Sequence, residues 1–252
     1  MRIQKELSKS HFGAVGWDTV RPDQKAIPAR PKPDRGRYLS VEQVGQLTNA
    51  AAFAASLGSP LNAQLTFVWP LVPGFTAGDL PRLQHELLRR FGQWLRRRGV
   101  VPRFVWVRER VRGRGLHLHV QTSLPQELVE AAEAFLTAAG GFVDIPPPDA
   151  IKGVMISWGS GSHGAWAGLL KYLAKGLDHR DFVYGPHGTT INLGVLLGVQ
   201  HRGMQGLIAM KRSGVSQNIG PKARAAAGWQ EVTDPLDLAY WLNPPKKRNF
   251  HA

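Results

Sequence analysis

His117-Leu118-His119 sets two imidazoles two positions apart, and Glu109 precedes them across the glycine-bearing run Val111-Arg112-Gly113-Arg114-Gly115. Side chains alternate between the faces of a β-strand, so the histidines point the same way while Leu118 turns to the opposite, apolar layer. Two imidazoles and a carboxylate are a compact donor set for a divalent cation. The imidazoles suit Mn²⁺, Zn²⁺, Ni²⁺ or Co²⁺, and the carboxylate keeps Mg²⁺ and Mn²⁺ in play. Glu109 joins this set only on a parity condition. Residues facing each other across a hairpin have a constant sum, which must be even for Glu109 to share the histidines' face. A two-residue turn at Gly113-Arg114 pairs 109 with 118 and sends the carboxylate to the wrong side. A three-residue loop or a bulge, with Gly113 or Gly115 at positive φ, brings it round.

A second group of residues lies downstream in Lys171-Tyr172-Leu173-Ala174-Lys175. Tyr172 and Lys175, three apart, are neighbours on one face of a helix, away from the stripe Trp166, Leu169, Leu170, Leu173 and Leu177. Gly168, one turn earlier on that side, leaves room for a substrate backbone. A tyrosine oxygen attacks a phosphodiester that a metal has polarised, and an adjacent lysine adds positive charge where negative charge develops. Taken alone, the same pattern is equally the face of an ordinary amphipathic helix with a half-exposed tyrosine.

The chain's charge points to a polyanionic partner. Its 252 residues carry 32 Lys and Arg against 18 Asp and Glu, a formal net charge of +14, which marks nucleic acid as the leading partner. The charge is clustered at Arg89-Arg90, Arg96-Arg97-Arg98, the hairpin run Arg108, Arg110, Arg112 and Arg114, Lys211-Arg212 and Lys246-Lys247-Arg248. The absence of cysteine excludes disulfides, thiolate zinc sites and cysteine nucleophiles. No export signal or apolar run long enough for a membrane span is present, so a cytoplasmic protein with no membrane partner is expected.

These residues must be positioned by recognisable elements. Residues 1–39 read as a basic, proline-rich extension, with Pro22, Pro28, Pro31 and Pro33 in an extended linker. Ser40 and Gln43 form a capping box for a helix through Leu57. Gln64 to Trp69 reads as a strand, and Asp79 to Arg98 as an amphipathic helix with a basic outer face. The hairpin strands are 103–111 and 116–122. Ser123 is the expected cap of a helix ending at Gly140-Gly141. A strand at 143–145 or 154–157 follows, then a helix from about Ala165 to Leu177. The order β-α-β-β-α-β-α predicts an α+β fold, a ferredoxin-like or RRM-like split βαβ antiparallel sheet with helices on one face and the tyrosine helix near the metal site. The expected domain spans 40–210, and 211–252 read as a basic C-terminal tail. His163, His179, His187 and His201 fall in loops or helix ends, and Gly185-Pro186-His187-Gly188 reads as a turn.

The strand with His-Leu-His, the acidic residue before it and the downstream Tyr-x-x-Lys together resemble the HUH endonucleases, specifically single-tyrosine rolling-circle replication initiators. Leu65-Thr66-Phe67-Val68 is similar to the family's first motif, and the resemblance covers about residues 60–180. Tyr172 follows the histidines, as in the initiators, whereas relaxases place it before them. Tyr38 precedes them but has no helical frame, and Gly176 excludes a paired-tyrosine motif. The resemblance implies a metal-dependent nicking and joining endonuclease acting on single-stranded DNA or a DNA hairpin at an origin of a plasmid, phage or integrated element. It implies Glu109, His117 and His119 as ligands of Mn²⁺ or Mg²⁺, Tyr172 as the nucleophile that becomes linked to the 5′ phosphate, and Lys175 as its helper. The arginine blocks, with Lys171, Lys211 and Arg212, would hold the DNA backbone. Without a phosphate-binding Gly-x-x-x-x-Gly-Lys motif, unwinding and synthesis would fall to a host helicase and polymerase. The alternatives are a transposase of the same chemistry and a non-catalytic nucleic-acid-binding protein. The latter lacks the aromatic signature that an RRM carries on its central strands.

Overall fold

A computed structural model describes residues 38–111, 113–146, 150–178, 180–184, 189–199 and 206–243. Arg112, His179, His187, His201, the turn at 185–188, the extension before Tyr38 and Lys246-Lys247-Arg248 lie outside the described residues. Among the described residues, no helix is long and apolar enough to cross a membrane.

Strict alternation of side chains builds the centre of the fold. In β1 (Ala63–Val68), Ala63, Leu65 and Phe67 face one way and Gln64, Thr66 and Val68 the other; in β3 (Gly115–Thr122), Leu116, Leu118 and Val120 oppose His117, His119 and Gln121. With β2 (Phe104–Val111), β4 (Val154–Trp158) and β7 (Ser213–Val215) these form a five-stranded sheet in the order β4-β1-β3-β2-β7. Every pairing is antiparallel. A separate ribbon pairs β5 (Phe182–Tyr184) with β6 (Thr190–Asn192), which leads into the one-turn α5 (Leu193–Leu196). The fold is α+β.

The Leu65/Leu118 face packs against α2 (Leu80–Arg96) and α3 (Val129–Gly140), where Phe91 stacks with Trp94, Phe104 and Phe135. Gly141 caps α3 at φ +68°. Ser123 does not cap its start. The chain passes through Pro125 and one 3₁₀ turn before α3 begins.

Helices were expected on one face only, and the structure corrects this. A second core lies on the opposite face, formed by α1 (Val41–Ser56), α4 (His163–Ala174) and the short α7 (Pro235–Leu242) over Val105 and Val107. The physical reason is visible in α1, whose capping box forms as read. Its Val44, Leu47, Ala50, Ala51, Ala52, Phe53 and Ala54 are buried around most of its circumference, and such a helix must be covered on several sides. This second face is nonetheless open at β4, where Met155 and Ser157 are exposed.

The segment read as a C-terminal tail is also corrected. It supplies β7 to the sheet, and α7 buries Leu238, Ala239 and Leu242. Between them α6 (Pro221–Ala226) carries Arg224, fully buried, whose guanidinium bonds the Ile219 carbonyl, Gln46 and Glu231.

Val111 pairs with Gly115, so three positions separate the paired ends of the two strands. Gly113 and Gly115 both take positive φ, +75° and +74°. A Cβ on Gly115 would lie 2.5 Å from Pro70 Cγ, whereas one on Gly113 would meet nothing within 4 Å. Gly115→Ala is therefore expected to lower unfolding free energy by about 3 kcal/mol, from backbone strain plus overpacking. Gly113→Ala should cost about 1 kcal/mol from strain alone. Urea denaturation of the two variants checks the difference.

Candidate active site

The three-residue loop decides the parity. Glu109 stands directly across from His117, and Val107 across from His119, so the carboxylate and both imidazoles share one face of the sheet. Glu109 reaches diagonally along that face, and its Oε2 lies 2.8 Å from His119 Nε2. On the other side, Thr66 pairs with His119 across β1 and β3, and its Oγ1 lies 3.0 Å from His119 Nδ1. Because a hydroxyl can donate or accept, Thr66 accommodates either tautomer of the ring. With Nε2–H donated to Glu109, the Thr66 hydroxyl donates to Nδ1.

Helix α4 brings the second group of residues onto this face. Ser162 caps its first turn by accepting the Ala165 N–H, while Trp166, Leu170 and Leu173 anchor it in the core. Lys175 is its C-cap. The Lys175 Nζ lies 2.7 Å from Glu109 Oε2 and 3.5 Å from His119 Nε2. The same ammonium stands 3.8 Å from the centre of the Tyr172 ring, and that ring meets the His119 ring edge-on at 5.2 Å. Tyr172 is half-buried and Gly168 faces open space. The Tyr-x-x-Lys face thus turns toward the histidine strand.

The network's electrostatics centre on the carboxylate. Burial works to raise the Glu109 carboxyl, but the His119 hydrogen bond and the Lys175 ammonium outweigh it and lower its pKa to about 2. Burial lowers both His117 and His119, favouring neutral imidazoles. Buried Arg212 contributes to the same field. Burial lowers it to about 10 against the opposing influence of Glu109 and Tyr38.

The donor types fit a divalent cation, with Glu109 and His119 already converging on one positive charge, the Lys175 ammonium. His117 is turned elsewhere, its Nε2 lying 3.2 Å from the Arg114 carbonyl. Among the described residues, no three His, Asp or Glu side chains converge as a ready metal cage. To hold a cation, His117 must swing from Arg114 and Lys175 must yield its place on Glu109.

The basic residues expected to hold DNA are scattered by the fold. Arg89, Arg90 and Arg96 to Arg98 belong to or follow α2, across the sheet from Tyr172. Arg90 bonds the Ala139 carbonyl, and Arg98 lies over Trp94 at 3.8 Å. Arg110 and Arg114 are exposed on the hairpin, Lys171 reaches Asn243, and Lys211 lines a groove beside β7. Arg212 is only 3% exposed, so its guanidinium is a buried neighbour of the site and not a surface contact. His163 is structural, stacked on Trp166 at 4.7 Å and bonded to the Trp241 carbonyl.

Two further residues on the site face carry no motif. Gln64 and Gln121 face each other across β1 and β3, two positions along from Thr66 and His119. Both are buried, with the Gln64 Oε1 and both Gln121 amide atoms lacking hydrogen-bond partners. Alternation alone marks them, since Gln64 shares parity with Thr66 and Gln121 with His119. No family model matches the chain, and no curated protein or solved structure matches it.

Glu109's folded pKa lies below its ordinary 4.5, so its stabilisation is complete above that pH and is lost as pH falls toward 2. At 1.36 kcal/mol per unit this amounts to roughly 3 kcal/mol. Urea denaturation from pH 7 to pH 3 should show a steep acid loss in the parent protein and a flatter profile in Glu109→Gln.

Proposed function

We propose that this chain is a single-tyrosine DNA nicking and joining enzyme of the HUH type, initiating rolling-circle replication of a plasmid, phage or integrated element. The observation that carries this reading is the convergence of Tyr172 and Lys175, from α4, on the Glu109 and His119 pair of the hairpin. The strand order β4-β1-β3-β2, with α2 joining β1 to β2 and α3 joining β3 to β4, supports a ferredoxin-like split βαβ core for the same reading. The open end of the site face, at Met155 and Ser157, supports entry of a strand across β4 and β1.

Tyr172 Oη attacks the scissile phosphorus, forming a phosphotyrosine bond to the 5′ side while the bond to the 3′ oxygen breaks. The tyrosine proton leaves to solvent or a neighbouring base, and the 3′ oxygen departs as a hydroxyl. The bond energy is retained, so a 3′ hydroxyl can reverse the step and join strands. Glu109, His117 and His119 would hold Mn²⁺ or Mg²⁺, which when bound supplies polarisation of the phosphate and stabilisation of the leaving oxygen. Thr66 orients His119 from behind, fixing which ring nitrogen faces the carboxylate. Lys175, whose ammonium lies 3.8 Å from the Tyr172 ring centre, would add positive charge where the attacking oxygen and phosphate meet.

Tyr172→Phe should abolish a denaturation-resistant protein–DNA adduct while leaving binding of the same oligonucleotides within about twofold, since one hydroxyl adds little to a contact dominated by phosphate charges. Oligonucleotides from the DNA neighbouring the coding sequence, with Mn²⁺ or Mg²⁺, are the substrates to use. An undiminished adduct in the variant would remove Tyr172 from the mechanism.

A further inference from the structure

Even-numbered residues of β2 turn away from Tyr172, and one of them is a buried charge. Arg108 is 5% exposed. Its Nε donates to Gln84 Oε1 at 2.7 Å and its Nη1 to the Lys211 carbonyl at 2.9 Å. Both partners are neutral, and among the described residues no carboxylate pairs with this guanidinium. Its Nη2 has no protein acceptor among them either. A buried cation without a counter-charge is unfavourable, and an anion from outside would relieve it.

The surroundings of Arg108 are built to admit one. It lines a groove of about 690 Å³ between α2 and the β2–β7 edge. Exposed His85, Arg89 and Arg96 run along the helical wall. Arg89 is held by Glu86 at 2.7 Å in a solvent-exposed pair, which a phosphate can readily exchange. The other wall is Trp106, half-buried, with the Arg108 guanidinium 4.9 Å from its ring centre and Lys211 Nζ at 6.0 Å. Gly214 stands opposite Trp106 on β7, and a Cβ there would come within 2.5 Å of the indole. The missing side chain leaves room for the indole beside the strand.

We propose that this groove binds a segment of single-stranded nucleic acid, with a phosphodiester on Arg108, flanking phosphates near Arg89 and Arg96, and a base stacked on Trp106. The seven-residue offset from Arg89 to Arg96 spans roughly 10 Å of helix, longer than one phosphate needs. The aromatic wall selects unpaired bases, whose faces are free to stack. The site lies on the opposite face of the sheet from Tyr172, so it holds a different length of strand from any at the tyrosine. It does not rest on the nicking chemistry.

The test uses full-length Tyr172→Phe protein and a fluorescein-labelled oligo-dT 12-mer carrying 5-iododeoxyuridine. Irradiation and peptide mapping should place the cross-link on the peptide containing Trp106. The double substitution Arg89→Gln and Arg96→Gln, both at exposed positions, should weaken anisotropy-measured binding about tenfold and flatten its salt dependence, with Tm unchanged. Cross-links confined to peptides bearing His117, His119 or residue 172, with binding unaffected by the double substitution, would overturn the proposal. So would oligo-dT competing no better than inorganic phosphate, which would make the groove a small-anion pocket.

Discussion

The Glu109 carboxylate is the point on which the site depends. It is buried, and a buried carboxylate persists only if the protein supplies compensating charge and hydrogen bonds. His119 and Lys175 supply both, at 2.8 Å and 2.7 Å. Because one partner comes from the central strand and the other from the end of α4, this single charge ties the sheet to the helix and sets Tyr172 against His119. Removing any one member leaves a charge or a donor stranded in the interior, and double-mutant measurements should therefore find strong coupling among the three.

The parity of the sheet then divides the molecule's charge between two faces. On β2, odd-numbered Glu109 belongs to the tyrosine side and even-numbered Arg108 to the α2 side, one residue away but separated by the strand. The acid is compensated within the protein and the base by neutral groups alone. This asymmetry explains why the first face reads as a reaction centre and the second as a place to receive an anion. It also means that the arginines of α2 lie across the sheet from Tyr172.

Much of this was legible in the sequence because it was local. Alternation put His117 and His119 together, the glycines allowed the three-residue loop that Glu109 required, and Tyr172 and Lys175 had to share a helix face. Periodicity states which residues share a face and is silent on what that face meets, so the contact of Lys175 with Glu109 was not readable. The same limit hid Arg108 and Arg212. Both sit in basic runs that suggest a solvated surface, and only tertiary packing buries them. Ser213-Gly214-Val215 is too short to show a strand's period, so the pattern of residues does not mark the last strand. The helices of the second face do carry a local signal: α1 is small or apolar around most of its circumference.

The position of Lys175 follows from where α4 is made to stop. Immediately beyond it, the Gly176 carbonyl accepts the Leu39 N–H at 2.7 Å and Leu177 forms a parallel bridge with Leu39. The chain is thus drawn out of helical geometry by the segment that precedes α1. A Cβ on Gly176 would sit 3.7 Å from Leu39 Cδ1 and 3.8 Å from an Arg212 amino group, so this junction also lies close to the buried Arg212. One more helical residue would move the chain's direction by about 100° and carry the junction away from Arg212 and the sheet. The C-terminal end of a helix also favours a cation, by about 0.3–1 kcal/mol, so the ammonium is placed where backbone dipole and carboxylate act together. The contact at Leu39 is remote from the chemistry in sequence, yet it fixes the register by which the tyrosine and lysine meet the histidine strand.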